Sequence, residues 1–523
     1  MTAKITPRLA MIHLDLKGMV FRDSYLPRFL DDLAEQKINS LLVEYEDAFP
    51  FAGMKIASDP SVVWPLKLVK KFNTMAAQRG IEIVPLFQCL GHLEYLLAWG
   101  QYRKLAEDQK YPSTIRLRDP AAMKLISNML QQMLEAHPNS RFIHLGMDEA
   151  HGLKVASKRL GESPLSLYLE HLETILPIVE SADKKPLIWS DMLEDHFEPL
   201  DWSRWRERVV LCSWDYTSNK PTTHRIRWHG NHISKAWMEN ATELDGPSVH
   251  DRQTFIEDQP QAIRKMVEPY MEHGQIRTLF QVDLWTKLGF QVLSTSAIRA
   301  SAQGPLLADY NFISGNVNMH SQAVQRTNQI GQIGSIWARG TSWCPPNFPF
   351  EMCWPLIHEM SRSMGLAPSL YWPGVDARAI EWILAAIGRT KNNWRVESTI
   401  VAKMKKLAPS IQKHGYEWKC LMLMVQTLAV QRKSEYALLE VDYFDSNNRP
   451  VDSEWQRRLD NQAAILKELK NLRTQVERHF SRRYHGLAFA EWISELFDLH
   501  LKRIHECQKI AQTKNLQAAR RYR

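Results

Sequence analysis

Short apolar runs alternate with amphipathic stretches along the first two thirds of the chain. The runs have the length of buried strands, and the stretches between them carry apolar residues at helical spacing. Strand and helix in strict turn predict a parallel sheet, and eight rounds predict closure into a (β/α)8 TIM barrel. The predicted strands lie at 9–16, 40–45, 81–87, 142–145, 186–190, 209–214, within 290–301, and at 333–337.

Helices are predicted between the strands and, after about residue 370, almost without strands. Pro177 is expected to interrupt the helix at 166–181. We therefore predict a barrel domain at 1–370 and a C-terminal α-helical domain at 371–523. The interval 217–289 is too long for one crossover and predicts an insertion with extra helical structure and a loop. The C-terminal helices are predicted at 377–388, 398–413, 418–441, 453–480 and 487–522.

The charge and the periodic Leu and Ile of the segment 455–479 suggest an antiparallel helix pair or a homodimer contact. Packing against the chain's own barrel is the favoured use of its apolar face.

The chain has a formal net charge of +8, which invites a nucleic-acid interpretation. Much of the basic excess lies in predicted helices of the last third, where solvated helix faces explain it better. We find neither the motif of an RNA-binding sheet nor zinc-finger spacing, so no nucleic-acid partner is expected.

The six cysteines are scattered, and none forms a CxxC pair. Several fall inside apolar runs, which is typical of reduced core residues.

Asp15 and Lys17 interrupt what would be the apolar region of a signal peptide. No apolar run reaches the ~20 residues that cross a bilayer, so we expect no membrane span and a cytoplasmic protein.

Acids and aromatic residues gather where the predicted strands end. The central stretch is RFIHLGMDEA at 141–150, in which a strand runs through Gly146 into two adjacent acids. Active sites of TIM barrels lie at this end of the strands. Acids with aromatic walls suit cleavage of a glycosidic bond. The residues at the strand ends are Asp15, Glu44, His92, Asp148, Glu149, Trp189, Asp191, Trp214, Asp215, Tyr216, Trp337 and Arg339.

A metal-dependent hydrolase is a less favoured alternative. His13, His92 and His144 accompany the acids, but no HExxH or other ligand spacing is present. The strand ends also lack a glycine-rich phosphate loop. We therefore expect neither a metal nor a cofactor.

The adjacency of Asp148 and Glu149 restricts the mechanism. Ordinary retaining glycosidases place two carboxyl groups about 5 Å apart on opposite sides of the bond, and inverting ones place them farther apart. Consecutive side chains cannot easily flank a sugar in that way. Adjacent acids suit substrate-assisted cleavage, in which the sugar's own 2-acetamido oxygen attacks the anomeric carbon.

The stretch HLGMDEA at 144–150 resembles the catalytic signature of glycoside hydrolase family 20, the β-N-acetylhexosaminidases. Within that family the chain more closely resembles the hexosaminidase D-like branch and related bacterial exo-β-N-acetylglucosaminidases. The resemblance covers roughly residues 8–365. Further stretches that carry it, in order, are IHLDLKG at 12–18, LLVEYEDAFPF at 41–51, VPLFQCLGHLEY at 84–95, PLIWSDML at 186–193 and LCSWDYT at 211–217.

The resemblance implies a role for each matching residue. Glu149 is expected to be the general acid and then the base for water. Asp148 is expected to accept a hydrogen bond from the acetamide N–H, and Tyr216 to donate one to the acetamide oxygen. The residues expected to wall the pocket are Trp189, Trp214 and Trp337. Those expected to hold sugar hydroxyls or to support the acids are Asp15, Glu44, His92, Asp191 and Arg339.

The function implied is exo-acting hydrolysis of terminal, non-reducing β-linked GlcNAc or GalNAc with retention of configuration, on a glycan or glycoconjugate substrate. A non-catalytic carbohydrate-binding barrel is the main alternative.

The sequence departs from the family pattern in three places. The first predicted strand starts at residue 9 without the α/β domain that many members carry before the barrel. LDLKG replaces the usual arginine of the first strand region, and HGLKVASKRLG after Ala150 is less glycine-rich than is usual.

Overall fold

A computed structural model of the protein gives the fold. Residues 234–260, the middle of the predicted insertion, and 513–522, the predicted end of the last helix, lie outside the residues it describes. The described residues are 8–198, 200–223, 225–226, 232–233, 261–272, 275–300, 304–340, 344–367, 371–388, 394–445 and 452–512.

Eight parallel strands form a closed barrel in chain order, which confirms the predicted fold class. The last strand pairs with the first, in a register that places Gly331 beside Leu9 and Gly334 beside Ile12. Each observed strand overlaps the predicted one. The strands are β1 (Leu9–Asp15), β2 (Ser40–Glu44), β3 (Glu82–Leu86), β4 (Phe142–His144), β5 (Lys185–Trp189), β6 (Val210–Trp214), β7 (Gln291–Arg299) and β8 (Gly331–Ile336).

Alternation along the strands decides which side chains face the barrel interior. In β1, Leu9 and Met11 belong to the apolar cluster that fills the interior, whereas Ile12 packs in the outer layer. Successive side chains of a strand point to opposite faces, so His13 and Asp15 face the interior near its open end. The same alternation turns further side chains inward at the carboxyl ends of other strands, namely Glu44, His144, Trp189, Trp214 and Trp337.

Helices cover the outside of the barrel. Asp119 illustrates why they begin where they do: its side chain accepts hydrogen bonds from the amides of Ala121 and Ala122, and Pro120 fills the first helical position. The main barrel helices are α1 (Leu26–Glu35), α2 (Leu66–Ala77), α3 (Pro120–Ala136), α4 (Pro164–Ser181), α5 (Phe280–Lys287), α6 (Tyr310–Thr327) and α7 (Trp354–Ser363). Further helices of eight residues or fewer are Glu94–Leu97, Leu153–Leu160, Asp191–Asp195, Ser203–Arg206 and Gln261–Val267.

Pro177 does not interrupt α4, and that prediction was wrong. The helix runs unbroken from its Ser163 cap, whose side chain accepts a hydrogen bond from the amide of Ser166. Proline removes one backbone hydrogen bond from a helix interior. Apolar side chains along the buried face of α4, including Leu172 and Ile175, hold the helix against the barrel across that gap.

The described part of the insertion contains short antiparallel strands rather than only helix and loop. Thr222–Thr223 pairs with Gln275–Arg277, which pairs in turn with Met271–Glu272. Arg225–Ile226 pairs with His232–Ile233. Two- and three-residue strands are too short to show a periodic pattern, so the apolar spacing did not predict them.

The C-terminal region is helical, as predicted, and packs on the barrel. Its two-residue strand Tyr484–His485 pairs antiparallel with Val20–Phe21, which follows β1. The boundary near residue 370 stays a prediction, as does the use of 455–479 in a homodimer. The segment packs mainly against the neighbouring helices Gly415–Asp445 and Leu487–Gln512, so the prediction that its apolar face packs on the barrel was wrong and the helix-pair alternative is the one observed. The helices are α8 (Ala377–Gly388), α9 (Trp394–Leu407), α10 (Gly415–Asp445), α11 (Asp452–Phe480) and α12 (Leu487–Gln512).

Candidate active site

A tight turn after β4 presents the two adjacent acids. Gly146, Met147 and Glu149 all have positive φ, at 65°, 72° and 43°. Left-handed backbone is costly for residues other than glycine and gathers at functional sites. The amide of Gly146 donates to His144 Nδ1 at 3.0 Å, and the amide of Glu149 donates to Asp191 Oδ2 at 3.0 Å. The turn is therefore held from both ends.

Position 146 favours glycine for two reasons, its positive φ and the lack of space for a side chain beside Gln88. A Cβ atom at this position would lie 1.8 Å from Oε1 of Gln88, which stands in the loop after β3. The Nε2 group of Gln88 donates to Glu44 Oε1 at 3.2 Å. Gln88 thus fills the space under the turn and ties it to the end of β2.

The two acids have unlike surroundings. The side chain of Asp148 is 6% exposed and that of Glu149 is 37% exposed. Oδ1 of Asp148 is buried and accepts no hydrogen bond from any residue that the structure describes. A buried carboxylate oxygen without a partner is costly, so this atom is suited to accept an N–H from a ligand.

His92 contacts both acids. Its Nε2 lies 3.3 Å from Asp148 Oδ2 and 3.5 Å from Glu149 Oε2, and its own φ is 50°. Burial acts to lower the pKa of His92, but the charge of Asp148 and the hydrogen bonds to both acids outweigh it and hold that pKa well above 6.5. A protonated imidazole at this place stabilises the negative charge of both carboxylates.

Aromatic side chains stand beside the acids. Trp214 and Tyr216 stack with ring centroids 4.8 Å apart, and Trp337 Nε1 donates to Tyr216 Oη at 3.0 Å. Burial raises the pKa of Tyr216, so the group stays a neutral hydroxyl that can donate a hydrogen bond. Trp189 is fully buried, with its ring 6.1 Å from that of Trp337.

Asp191 connects the acid turn to the aromatic wall. It follows β5 and is 1% exposed. Its Oδ1 accepts a hydrogen bond from Trp214 Nε1 at 3.4 Å, while its Oδ2 holds the amide of Glu149. Asp191 therefore positions the backbone of Glu149.

A second group of predicted residues lies around Lys17, whose role the sequence did not reveal. Lys17 Nζ is 3.0 Å from Asp15 Oδ2, 3.3 Å from Glu44 Oε2 and 3.6 Å from Glu46 Oε1. Burial acts to lower the pKa of Lys17, but these carboxylates outweigh it and raise that pKa well above 10.5. The same ion pair and His13, at 3.0 Å from Glu44, hold the pKa of Glu44 below its usual range despite burial.

The Lys17 cluster, defined as Lys17 with Asp15, Glu44 and Glu46, joins the first and last strands of the barrel. Asp15 Oδ2 accepts a hydrogen bond from the amide of Ala338, after β8, at 2.8 Å. Lys17 Nζ also lies 4.9 Å from the centroid of the Trp337 ring. The only sequence signal for Lys17 was its position two residues beyond Asp15.

Arg339, the predicted residue after β8, lies near the C-terminal helical region. Its Nη2 is 3.2 Å from Glu491 Oε2 on α12. Glu491 is more than 300 residues from the acid turn, and nothing in its local sequence marks it. The structure thus places Asp148, Glu149, His92 and Asp191 together on one side of the mouth, and Asp15, Glu44 and Arg339 on the side of β1, β2 and β8.

Among the described residues, no group of three or more His, Cys, Asp or Glu has the arrangement of a metal site. In the same residues we find no helix of the length and apolarity that a bilayer crossing needs. Five cysteines of this part of the chain, Cys89, Cys212, Cys344, Cys353 and Cys420, are free thiols, and all of these except Cys344 are buried.

Residues 12–235 match the family model for the catalytic domain of glycosyl hydrolase family 20. Hexosaminidase D of Homo sapiens is 31% identical over 221 residues, a match that covers 40% of this chain and 46% of that protein. Hexosaminidase D of Bos taurus is 30% identical over 217 residues, covering 40% of this chain and 63% of that protein. The chain therefore spans less than two thirds of the length of these curated relatives.

Among solved structures, a β-N-acetylhexosaminidase from Bacteroides fragilis is similar with a TM-score of 0.45 and 15% sequence identity, over 73% of this chain and 70% of that one. A chitobiase from Flavobacterium johnsoniae is similar with a TM-score of 0.46 and 13% identity, over 99% of this chain and 74% of that one.

Proposed function

We propose that this protein, whose residues 12–235 belong to glycoside hydrolase family 20, is an exo-acting β-N-acetylhexosaminidase. It would remove terminal β-linked GlcNAc or GalNAc from glycans. The observation that carries the proposal is the unlike pair of adjacent acids. Asp148 is buried with one carboxylate oxygen ready for an N–H donor, and Glu149 is the more exposed of the two. One acid can hold an acetamide while its neighbour reaches a leaving group.

In the first step, the acetamido oxygen of the bound sugar attacks the anomeric carbon. The bond from that carbon to the leaving oxygen breaks, and Glu149 transfers its proton to the leaving oxygen. Asp148 accepts the hydrogen bond of the acetamide N–H and stabilises the positive charge that develops on the oxazolinium ring. Tyr216 donates its hydroxyl hydrogen to the acetamide oxygen and orients it for attack.

In the second step, Glu149 accepts a proton from water, and the resulting hydroxyl attacks the anomeric carbon from the side that the leaving group vacated. The oxazolinium ring opens and the acetamide is restored. Two inversions give net retention of configuration. His92 contacts both acids and holds them in place, and the indole rings at the mouth cover the apolar face of the sugar.

Aryl β-glycosides of GlcNAc and GalNAc, each assayed with and without a chelator, test the proposal. We expect release of the phenol from at least one of them, unchanged by the chelator. The matching aryl β-glucoside, which lacks the acetamide, should react far more slowly because it has no internal nucleophile. Binding of the sugars without release would favour a carbohydrate-binding barrel, and loss of release with the chelator would favour a metal-dependent hydrolase.

The proposal includes a cytoplasmic location. It is supported by the free cysteines of the described residues, since oxidising compartments favour disulfides.

A further inference from the structure

A cavity of about 670 Å³ lies between the barrel mouth and the C-terminal helix α12. Lys17 and Arg339 line it from the loops after β1 and β8, and Glu491 and Glu495 line it from α12. Two parts of the chain therefore build it together, and neither part encloses it alone.

The cavity lies across the mouth from the acid turn. In a closed barrel of eight strands in chain order, β8 and β4 are four strands apart and face each other. Glu149 follows β4 and Arg339 follows β8. A pyranose that lies across the mouth with its anomeric carbon at Glu149 would direct the opposite edge of its ring, with the C4 hydroxyl, towards the β8 side.

The position of Glu491 is fixed from both directions along α12. The amide of Leu487 donates to Asp59 Oδ2 at 2.6 Å, and Trp492 Nε1 donates to the carbonyl of Pro305 at 2.8 Å. Before the helix, Gly486 has a φ of 86°, and a Cβ there would lie 2.4 Å from Val62. The start of α12 is thus attached to the barrel loops, so Glu491 is presented at a defined place.

Glu491 in turn holds Arg339. The two side chains lie 3.2 Å apart, with 8% of the Arg339 side chain and 45% of the Glu491 side chain exposed. A guanidinium donates hydrogen bonds only and a carboxylate accepts them only. Side by side, they match a sugar hydroxyl, which does both, and such charge-assisted hydrogen bonds are the stronger ones.

We propose that Glu491 is a specificity-determining residue of the sugar site, and that with Arg339 it binds the hydroxyl groups at the ring edge opposite the glycosidic bond. The C-terminal helical region then completes the active site of the barrel. This proposal depends on the proposed function above. GlcNAc and GalNAc differ only in the configuration at C4, so a contact at this edge affects the two sugars unequally.

The test is Glu491→Gln in the full chain, assayed on the aryl β-glycosides of GlcNAc and GalNAc. Loss of one charged hydrogen-bond partner should lower kcat/KM about tenfold for the preferred epimer and less for the other, mainly through KM. The ratio of the two kcat/KM values therefore shifts. The matched control is Glu506→Gln, which changes the same residue type on the same helix, where Glu506 pairs with Lys509 at 3.0 Å, and it should leave the ratio unchanged.

An unchanged ratio in a Glu491→Gln variant that melts at the wild-type temperature would overturn the proposal, and an equal loss on both epimers counts as an unchanged ratio. If the variant is unstable, Glu491→Asp decides, because it keeps the charge: recovery of the wild-type ratio supports the contact, and a wild-type ratio in both variants excludes it. Wild-type protein that hydrolyses neither glycoside would refute the proposed function itself, a result that does not depend on Glu491.

Discussion

Two buried cations in this protein are each surrounded by carboxylates, and they do different work. Lys17 lies at the barrel mouth among Asp15, Glu44 and Glu46. Arg483 lies where the helical region meets the barrel. The Arg483 cluster is defined as Arg483 with Tyr25, Glu351, Glu417 and Tyr484.

In the Arg483 cluster, the guanidinium donates its hydrogen bonds to side chains of the protein itself. Arg483 donates to Tyr25 Oη at 2.8 Å, to Glu351 at 3.2 Å and to Glu417 at 2.7 Å. Its guanidinium also lies over the rings of Tyr25 and Tyr416, at 4.0 and 3.6 Å from their centroids. These contacts join the helical region to α1 and to the segment before α7, so the cluster stabilises the fold.

The Lys17 cluster is instead connected to the acid turn, which has a polar atom available to a ligand. It is tied through Glu44 and Gln88 to the acid turn, where Asp148 Oδ1 has no hydrogen-bond donor among the described residues. Positive φ values accumulate there, at Met147, Glu149 and His92. A buried ion cluster alone therefore does not indicate a functional site, whereas strained backbone beside a buried acceptor without a donor does.

The largest difference between the barrel mouth and the Arg483 interface is expected from Glu149→Gln, which should affect activity. Without a proton donor, hydrolysis of glycosides with poor leaving groups should fall about 10²- to 10⁴-fold, because their leaving oxygen must be protonated. Glycosides with activated aryl leaving groups should lose much less. The measurement is kcat/KM across a leaving-group series, and an equal loss across the series would contradict the assignment of Glu149.

Asp148→Asn should lower kcat on acetamido substrates by about 10²- to 10³-fold, because the amide cannot match the charge of the carboxylate beside the developing oxazolinium. Thermal unfolding should change little, because the substitution removes a buried charge but also removes the carboxylate that pairs with His92 at 3.3 Å. Wild-type kcat in this variant would remove Asp148 from the mechanism.

At the interface, Arg483→Leu should show the opposite behaviour. Removing the cation leaves Glu351 and Glu417 buried without their partner, which should lower the free energy of unfolding by about 3 to 5 kcal/mol. The kcat of the remaining folded molecules should be unchanged. Chemical denaturation measures the loss, and Arg482→Leu, which alters the exposed neighbouring residue, is the control. A stable variant would show that the cluster does not hold the helical region.

The smallest expected effect is on pH dependence. His92 has a raised pKa, so the stability it contributes as a cation is fully present below pH 6.5, the usual value, and is lost as pH rises through its folded-state pKa. His92→Gln should therefore reduce the melting temperature at about pH 6 more than at alkaline pH. It should also remove an alkaline limb from the kcat/KM profile. An equal change at both pH values would show that His92 is neutral in the folded protein.

The amino-acid sequence alone determined the barrel and the helical region, because apolar periodicity records which face of each strand and helix is buried. It also marked the acid turn, since Gly146 and the two acids are contiguous. Pro177 was misjudged because tertiary packing outweighed a local helix breaker. Only the tertiary structure brought Lys17, Gln88 and Glu491 to the mouth. Their contacts join residues distant in the chain, and neither composition nor local spacing encodes such a meeting.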